Sequence, residues 1–165
     1  MKATAVEYLA QNKLPATAIK ITSPFSGKVM DLNQHPEPFF KFSTLGPTAM
    51  VSLSNHKILA PFDGTLVQVK NAGCEFILQA NNGLKVLINL SITPEQHITH
   101  THIAQLNGSK ITKGQRLAYF DLRELDAPLI GSLVLLNGHN LGSFYYSHSH
   151  VNAGVDPLLS IIKKN

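Results

Sequence analysis

The sequence is divided at regular intervals by residue pairs that favour tight turns, and this spacing limits the fold more than any other feature. A glycine follows a polar residue in these pairs, as in Asp63-Gly64, Asn82-Gly83 and Lys113-Gly114. Pairs such as Asn-Gly tolerate positive φ and favour hairpins between short strands. The runs between the turns are short and rich in apolar residues, covering 27–33, 49–53, 57–60, 64–70, 74–80, 84–90, 116–122, 132–136 and 158–162. This pattern predicts an all-β fold, an antiparallel β-sandwich or barrel.

Only two stretches favour helix over strand. Residues 5–12 place Val6, Leu9 and Ala10 on one side of a short helix that Pro15 would end. A single helical turn is predicted over 122–126. Since no Pro-, Gly- or Ser-rich linker divides the chain, we expect an N-terminal extension or short helix over 1–18 and a single β domain over 19–165.

Two segments repeat one pattern. Residues 23–32 read SPFSGKVMDL and residues 60–69 read APFDGTLVQV. Each has a small residue, Pro-Phe, one variable residue and a glycine before an alternating strand. The repeat predicts an internally duplicated motif.

The composition excludes several functional classes. The net charge is +4, but the 14 Lys and Arg residues are scattered and form no stripe that would bind nucleic acid. The single cysteine suits a reducing compartment, no signal peptide is evident, and no stretch reaches the roughly 18 apolar residues of a membrane span. We therefore expect a cytoplasmic protein, peripheral to a membrane at most. Nothing resembles a phosphate loop, a dinucleotide fingerprint or a serine triad, so no cofactor is expected.

The hairpin at Asn82-Gly83 carries two chemically capable residues. If these two residues alone form the loop, Phe76 lies opposite Asn89. Alternation along the strands then predicts that Cys74 shares a face with Asn89, diagonally and within about 7–8 Å. The other face of the second strand is wholly apolar and is predicted to be core: Leu84, Val86, Ile88 and Leu90. The residues alone leave open a functional site, or a buried thiol beside an edge asparagine.

From residue 21 to the C terminus, the sequence resembles the glucose-type IIA domain of the bacterial phosphoenolpyruvate-dependent sugar phosphotransferase system. The resemblance lies in SPFSGKV (23–29), Gly46, KILAPFDGTL (57–66), GLKVLINLSIT (83–93), IAQLNG (103–108), KGQRLAYFDL (113–122) and GVDPLLSI (154–161). No single segment is specific, but their order and spacing together are. The resemblance implies an antiparallel β-sandwich with an internally duplicated motif.

The resemblance also implies a phosphohistidine site on two neighbouring strands. In the family, one histidine takes a phosphoryl group from the histidine phosphocarrier protein and passes it to a sugar-specific IIB domain, while the second stabilises the phosphate. Cys74 and Asn89 match these two positions, and Ala72 matches a threonine that helps to hold the phosphate. Asparagine cannot form the phosphoramidate that imidazole forms. We therefore interpret the chain as a degenerate IIA homologue that binds and regulates a protein, such as a IIB/IIC permease, another phosphotransferase component, a transporter or an enzyme.

An alternative keeps the phosphocarrier activity and moves it to Cys74. Phosphocysteine occurs in IIB domains of the same pathway, where backbone N–H groups lower the pKa of the thiol. The sequence shows no such activator beside Cys74.

The resemblance further predicts a docking surface around this site, apolar with an acidic rim. Glu37 matches an acidic residue of the family. Its apolar positions are matched by Phe39, Phe40, Leu45, Ile77 and Leu87. Lys70 and Glu95 stand where the family is apolar, which indicates a changed partner. The competing interpretation makes Phe39 and Phe40 core residues.

A second alternative is a zinc-dependent hydrolase. Alternate histidines on a strand can chelate zinc, and the sequence offers two pairs, His100 with His102 and His148 with His150. A related fold houses zinc peptidases with such a pair, but their other motif, a histidine with an acid four residues on, is absent here. We therefore expect surface histidines without a metal.

Overall fold

The computed structural model describes residues 5–70, 73–92, 101–103, 105, 107–138 and 140–164, with only the backbone at 101 and 102. The strands in chain order are β1 (Val6–Tyr8), β2 (Ile19–Thr22), β3 (Gly27–Met30), β4 (Thr48–Leu53), β5 (Lys57–Leu59), β6 (Gly64–Lys70), β7 (Glu75–Ala80), β8 (Lys85–Ser91), β9 (Thr101–Ile103), β10 (Lys110–Ile111), β11 (Arg116–Phe120), β12 (Ile130–Leu135), β13 (Gly142–Tyr146), β14 (His150–Val151) and β15 (Pro157–Lys163). The described helical elements are α1 (Pro38–Lys41) and 3-10 turns at Gln11–Lys13, Leu32–Gln34 and Leu122–Glu124.

The strands form three sheets. The largest has the order β10-β6-β7-β8-β12-β4-β3-β14; the others are β1-β13-β15-β2 and β5-β11-β9. Every described pairing is antiparallel except the one between β1 and β13. The predicted all-β, antiparallel fold is confirmed, and the predicted helical turn near residue 122 is present as a 3-10 turn. Within the described part of the chain, no helix has the length and apolar character needed to cross a membrane.

The helix predicted over residues 5–12 is wrong. Val6–Tyr8 instead runs parallel to β13, and the backbone N–H of Leu9 donates to the carbonyl of Tyr146 at 3.0 Å. The rings of Tyr8 and Tyr146 meet edge to face with their centres 5.5 Å apart. β-branched and aromatic side chains suit a strand, and pairing with a sheet edge overrides the weak helical pattern.

The glycines of the two copies of the repeated motif have the same steric role. Each copy has a glycine that begins a strand, Gly27 in β3 and Gly64 in β6. A Cβ at Gly27 would collide with the carbonyl oxygen of Ser52, and a Cβ at Gly64 would collide with that of Gln79. In both copies, glycine therefore allows the neighbouring strand to approach closely, which supports the predicted duplication.

The register between β7 and β8 differs by one residue from the prediction. Gly83 donates its N–H to the carbonyl of Ala80 at 2.9 Å, and Ala80 donates its own to Leu84 at 2.8 Å. The loop therefore has three residues, 81–83, and Gly83 alone has positive φ, at 94°. A glycine in this conformation at the third position is typical of three-residue hairpin loops.

The altered register reverses the faces of β7. Glu75 lies opposite Asn89, and Phe76 lies opposite Ile88. The prediction that Cys74 and Phe76 share a face with Asn89 is therefore wrong, since a slip of one residue moves every side chain to the other face. The apolar face predicted for β8 is confirmed as core: Leu84, Val86, Ile88 and Leu90 are all buried.

The eight-stranded sheet buries side chains on both faces. Its inner face joins the main core, whose fully buried phenylalanines are Phe25, Phe76, Phe120 and Phe144. Its outer face carries a smaller cluster, in which Phe40 from α1 packs with Leu87 and Val134. The site described next lies on this outer face, beside the smaller cluster.

Candidate functional site

An open groove of about 590 Å³ runs between the segment containing α1 and the outer face of the large sheet. Its lining is mostly apolar and includes two carboxylates and one amide: Glu37, Pro38, Phe39, Phe40, Leu45, Glu75 and Asn89. Residues of three segments that are distant in sequence thus meet in one groove. Several of them were predicted to surround a site.

The floor of the groove is a row of residues that face one another across neighbouring strands. Glu75 on β7 lies opposite Asn89 on β8, and Asn89 lies opposite Ser132 on β12. Asn89 is only 8% exposed, and its Oδ1 accepts a hydrogen bond from the Ser91 hydroxyl at 3.3 Å. The row extends beyond Glu75 to Lys70 on β6. The groove floor is therefore polar and surrounded by apolar side chains.

The wall of the groove is attached to the sheet by a buried histidine. His35 is 4% exposed, and its Nε2 lies 2.7 Å from the hydroxyl oxygen of Ser132. The backbone N–H of Glu37 donates to Nδ1 of His35 at 3.0 Å, so the neutral ring carries its proton on Nε2 and donates it to Ser132. The ring also packs on Phe40, with 5.0 Å between the ring centres. One side chain thus connects α1, the segment before it and the sheet.

Two carboxylates line the groove, those of Glu37 and Glu75. Burial raises the pKa of Glu37, and the negative charge of Glu75 raises it further. The second effect requires the two groups to be close enough to repel each other. Glu37 is the acidic rim residue expected from the sequence. Glu75 was not expected, because the predicted two-residue loop placed it on the opposite face from Asn89.

Cys74 lies next to the groove and not among the residues that line it. It precedes β7, and its carbonyl accepts the N–H of Leu90 at 2.8 Å, which places it one residue along the ladder from Asn89. Burial raises the pKa of the half-buried Cys74 thiol, and the charge of Glu75 raises it further. The thiol is therefore less nucleophilic at neutral pH than an ordinary cysteine.

The predicted docking residues fall into two groups. Phe39 is 65% exposed and Leu45 is 44% exposed, so both present apolar surface at the groove. Phe40 and Leu87 are each 5% exposed and belong to the small cluster beneath, against which the half-buried Ile77 packs. Phe40 is thus mostly buried, as the competing interpretation held for it, and it also lines the groove.

The histidine pairs do not form a metal centre among the described residues. His100 and the side chain of His102 lie outside the described part of the chain, as do Ala72 and Glu95. His150 is exposed, on the short edge strand β14, and His148 precedes that strand. Within the described residues, no group of three or more His, Cys, Asp or Glu side chains could hold a metal ion.

Sequence reasoning missed His35, Ser132 and Glu75. Glu75 follows directly from the three-residue loop, because that register places it opposite Asn89. The contact between His35 and Ser132 joins residues 97 positions apart, and no local pattern signals it.

A second groove, of about 270 Å³, lies on the other side of the same segment. Asp31 and Leu32 line it from the segment, Met30 and Met50 line it from the sheet, and Tyr8 lines it from β1. Met50 lies opposite Ser132, so this groove continues the row of outer-face residues that begins at Glu75.

Comparison with known proteins agrees with this architecture. Residues 19–141 match the protein family described as "phosphoenolpyruvate-dependent sugar phosphotransferase system, EIIA 1". The chain is 30% identical over 142 residues to the PTS system mannose-specific EIIBCA component of Corynebacterium glutamicum, covering 81% of this chain and 20% of that protein. It is 23% identical over 149 residues to the PTS system glucose-specific EIIA component of Oceanobacillus iheyensis, covering 87% of this chain and 90% of that protein.

The fold also matches a solved structure. Glucose permease IIA from Mycoplasma capricolum superimposes with a TM-score of 0.69 at 15% identity, covering 87% of this chain and 96% of that one. The chain spans about a fifth of the length of several multidomain relatives, the mannose-specific EIIBCA component among them.

Proposed function

This chain belongs to the EIIA 1 family of the phosphoenolpyruvate-dependent sugar phosphotransferase system, and we propose that it acts by binding a protein partner instead of carrying a phosphoryl group. The partner docks in the groove between α1 and the sheet, over Asn89. The protein thereby regulates a component of sugar uptake.

One observation carries this proposal: among the residues that the structure describes, those that line the groove include neither an imidazole nor a thiol. Asn89 occupies the floor, and an amide forms no phosphoramidate. Among the described lining residues, a phosphoryl group with up to two negative charges would meet two carboxylates, Glu37 and Glu75, and neither Lys nor Arg. The raised pKa of the Cys74 thiol argues against phosphotransfer through that residue.

The partner that fits this groove is a protein with an apolar surface and a basic residue. Phe39 and Leu45 expose apolar area beside the acidic rim, and exposed aromatic residues of this kind often anchor interfaces. The name of the mannose-specific EIIBCA relative indicates that its IIA region shares a chain with IIB and IIC regions. We therefore favour a IIB/IIC permease as the partner of this chain.

The first experiment measures phosphate uptake. The purified protein is incubated with labelled phosphoenolpyruvate, the first enzyme of the system and the histidine phosphocarrier protein. We expect no acid-labile label. Stoichiometric labelling of the native protein that disappears in Cys74→Ser would refute the proposal and establish the thiol as a phosphoryl carrier.

The second experiment measures binding, with two phenylalanines of one segment as a matched pair. Phe39 and Phe42 are 65% and 71% exposed, but only Phe39 lines the groove. Binding to a purified glucose-type IIB/IIC permease is followed by calorimetry. Phe39→Asp should weaken binding at least tenfold, while Phe42→Asp should leave it unchanged. Equal effects of both substitutions would place the docking surface elsewhere.

A further inference from the structure

We infer that His35 is a proton-sensitive latch that positions the groove wall, closing it when the ring is neutral and releasing it when the ring is protonated. The inference rests on the proposed function only in so far as the groove binds a partner. The latch itself is a property of the isolated protein.

The contacts of His35 fix both the position of the wall and the protonation state of the ring. Nδ1 accepts the backbone N–H of Glu37, the residue that precedes the first turn of α1. Nε2 donates to the hydroxyl of Ser132, which is fully buried and lies opposite Asn89 on the next strand. Both contacts are satisfied together only by a neutral ring protonated on Nε2.

Protonation of Nδ1 removes the acceptor on which the wall depends. The new ring N–H would point at the N–H of Glu37, so an attraction becomes a repulsion between two donors. The ring would also carry a positive charge while buried against Phe40, which is costly without a direct partner. The segment relieves both costs by moving away from Ser132, and that movement carries Phe39 and Glu37 with it.

The elements around the ring carry charges of both signs. Their described residues include the carboxylates of Asp31, Glu37 and Glu75, the ammonium groups of Lys41 and Lys70, and the uncharged Ser132, Met50 and Asn89. Burial of the ring is the largest influence on the pKa of His35, and it lowers that pKa.

The direction of the pH effect follows from this. The pKa of His35 is lower in the closed form than in the open form. Above the ordinary histidine pKa of about 6.5, the ring is neutral in both forms and the closed form keeps its full stability. As the pH falls below that value, the open form takes up the proton first. The open form is then favoured by up to tenfold for each pH unit, until the closed form is protonated as well.

Amide hydrogen exchange of the full chain tests the latch, because the Glu37 amide donates directly to the ring. The protection factor of this amide should be constant between pH 7.5 and pH 6.5. From pH 6.5 down to pH 5, it should fall by threefold to tenfold for each pH unit. The Leu90 amide, which is bonded to Cys74 within the sheet, serves as the internal reference and should not change. The nitrogen chemical shifts of the ring at pH 7.5 should show His35 with Nδ1 unprotonated.

Three variants separate the latch from other causes. Glu37→Gln keeps the backbone amide and His35 but removes a carboxyl that also titrates in the acid range, so the pH response should persist. His35→Gln should abolish the response, and His150→Gln, at an exposed histidine on the same face, should leave it intact. Protection that is independent of pH, a response that survives His35→Gln, or one that disappears in Glu37→Gln would overturn the inference.

The two proposals fail in different ways. Phosphate uptake by the native protein would refute the binding function and leave the exchange result untouched. An unresponsive Glu37 amide would refute the latch while leaving the binding function in place.

Discussion

Replacing Phe40 with alanine should destabilise the protein by about 3 kcal/mol, the lower end of the range for removing a buried phenylalanine ring. The ring is 5% exposed and packs on Leu87, Val134 and His35, so its removal both exposes these neighbours and leaves a void. The lower end applies because the cluster is small and the segment that carries α1 can partly settle into the space.

Urea unfolding followed by circular dichroism at pH 7.5 measures this cost. For a chain of this length, about 3 kcal/mol corresponds to a fall in melting temperature of roughly 6–12 °C. The adjacent Phe39→Ala is the matched control, because it removes the same side chain from the same helix at an exposed position. Its effect should stay within about 0.5 kcal/mol.

Two outcomes would refute this reasoning. A Phe40→Ala protein as stable as the native one would show that the ring is not packed as the structure describes. A Phe39→Ala protein that is equally destabilised would show that both rings are core, and the groove would then lack its exposed apolar wall.

Two further predictions concern the hairpin glycines and acid stability. Gly64→Ala should cost about 2–3 kcal/mol of stability, because the new Cβ would collide with the carbonyl of Gln79. Gly83→Ala should cost only about 1–2 kcal/mol, because its Cβ meets no neighbouring atom and the cost comes from the positive φ alone. Equal urea midpoints for the two variants would contradict this. The hydrogen bonds from Arg123 lower the pKa of Asp121 to about 2, so the stability contributed by this carboxylate should be present above about pH 4 and lost as the pH falls towards 2. Asp121→Asn should therefore flatten the fall in urea midpoint over that pH range, and an unchanged slope would contradict the assignment.

Most of the fold follows from the sequence because its turns are marked by local chemistry. The strand predicted over 64–70 matches β6 to the residue, and that over 74–80 differs from β7 only at its first residue. The segment over 5–12 was misjudged because the partner of β1 is β13, more than 130 residues away. A strand whose stability comes from such a distant pairing carries little local signal.

The site could be predicted only in part. The positions of Asn89, Glu37 and Phe39 around one groove follow from the family resemblance. The face of Cys74 was wrong because a loop of two residues and a loop of three are both compatible with Asn82-Gly83, and the faces reverse between them. His35 was not found, because its role depends on a contact across the sheet and on burial.

The segment that contains α1 acts as a partition between two compartments. From Asp31 to Leu45, it lines the larger groove on one side and the smaller groove on the other. Among its described side-chain hydrogen bonds, one is a buried contact with the sheet, between His35 and Ser132. A molecule that occupied the smaller groove and displaced this partition would change the affinity of the larger one. By thermodynamic linkage, a partner in the larger groove would change the affinity of the smaller one by the same factor.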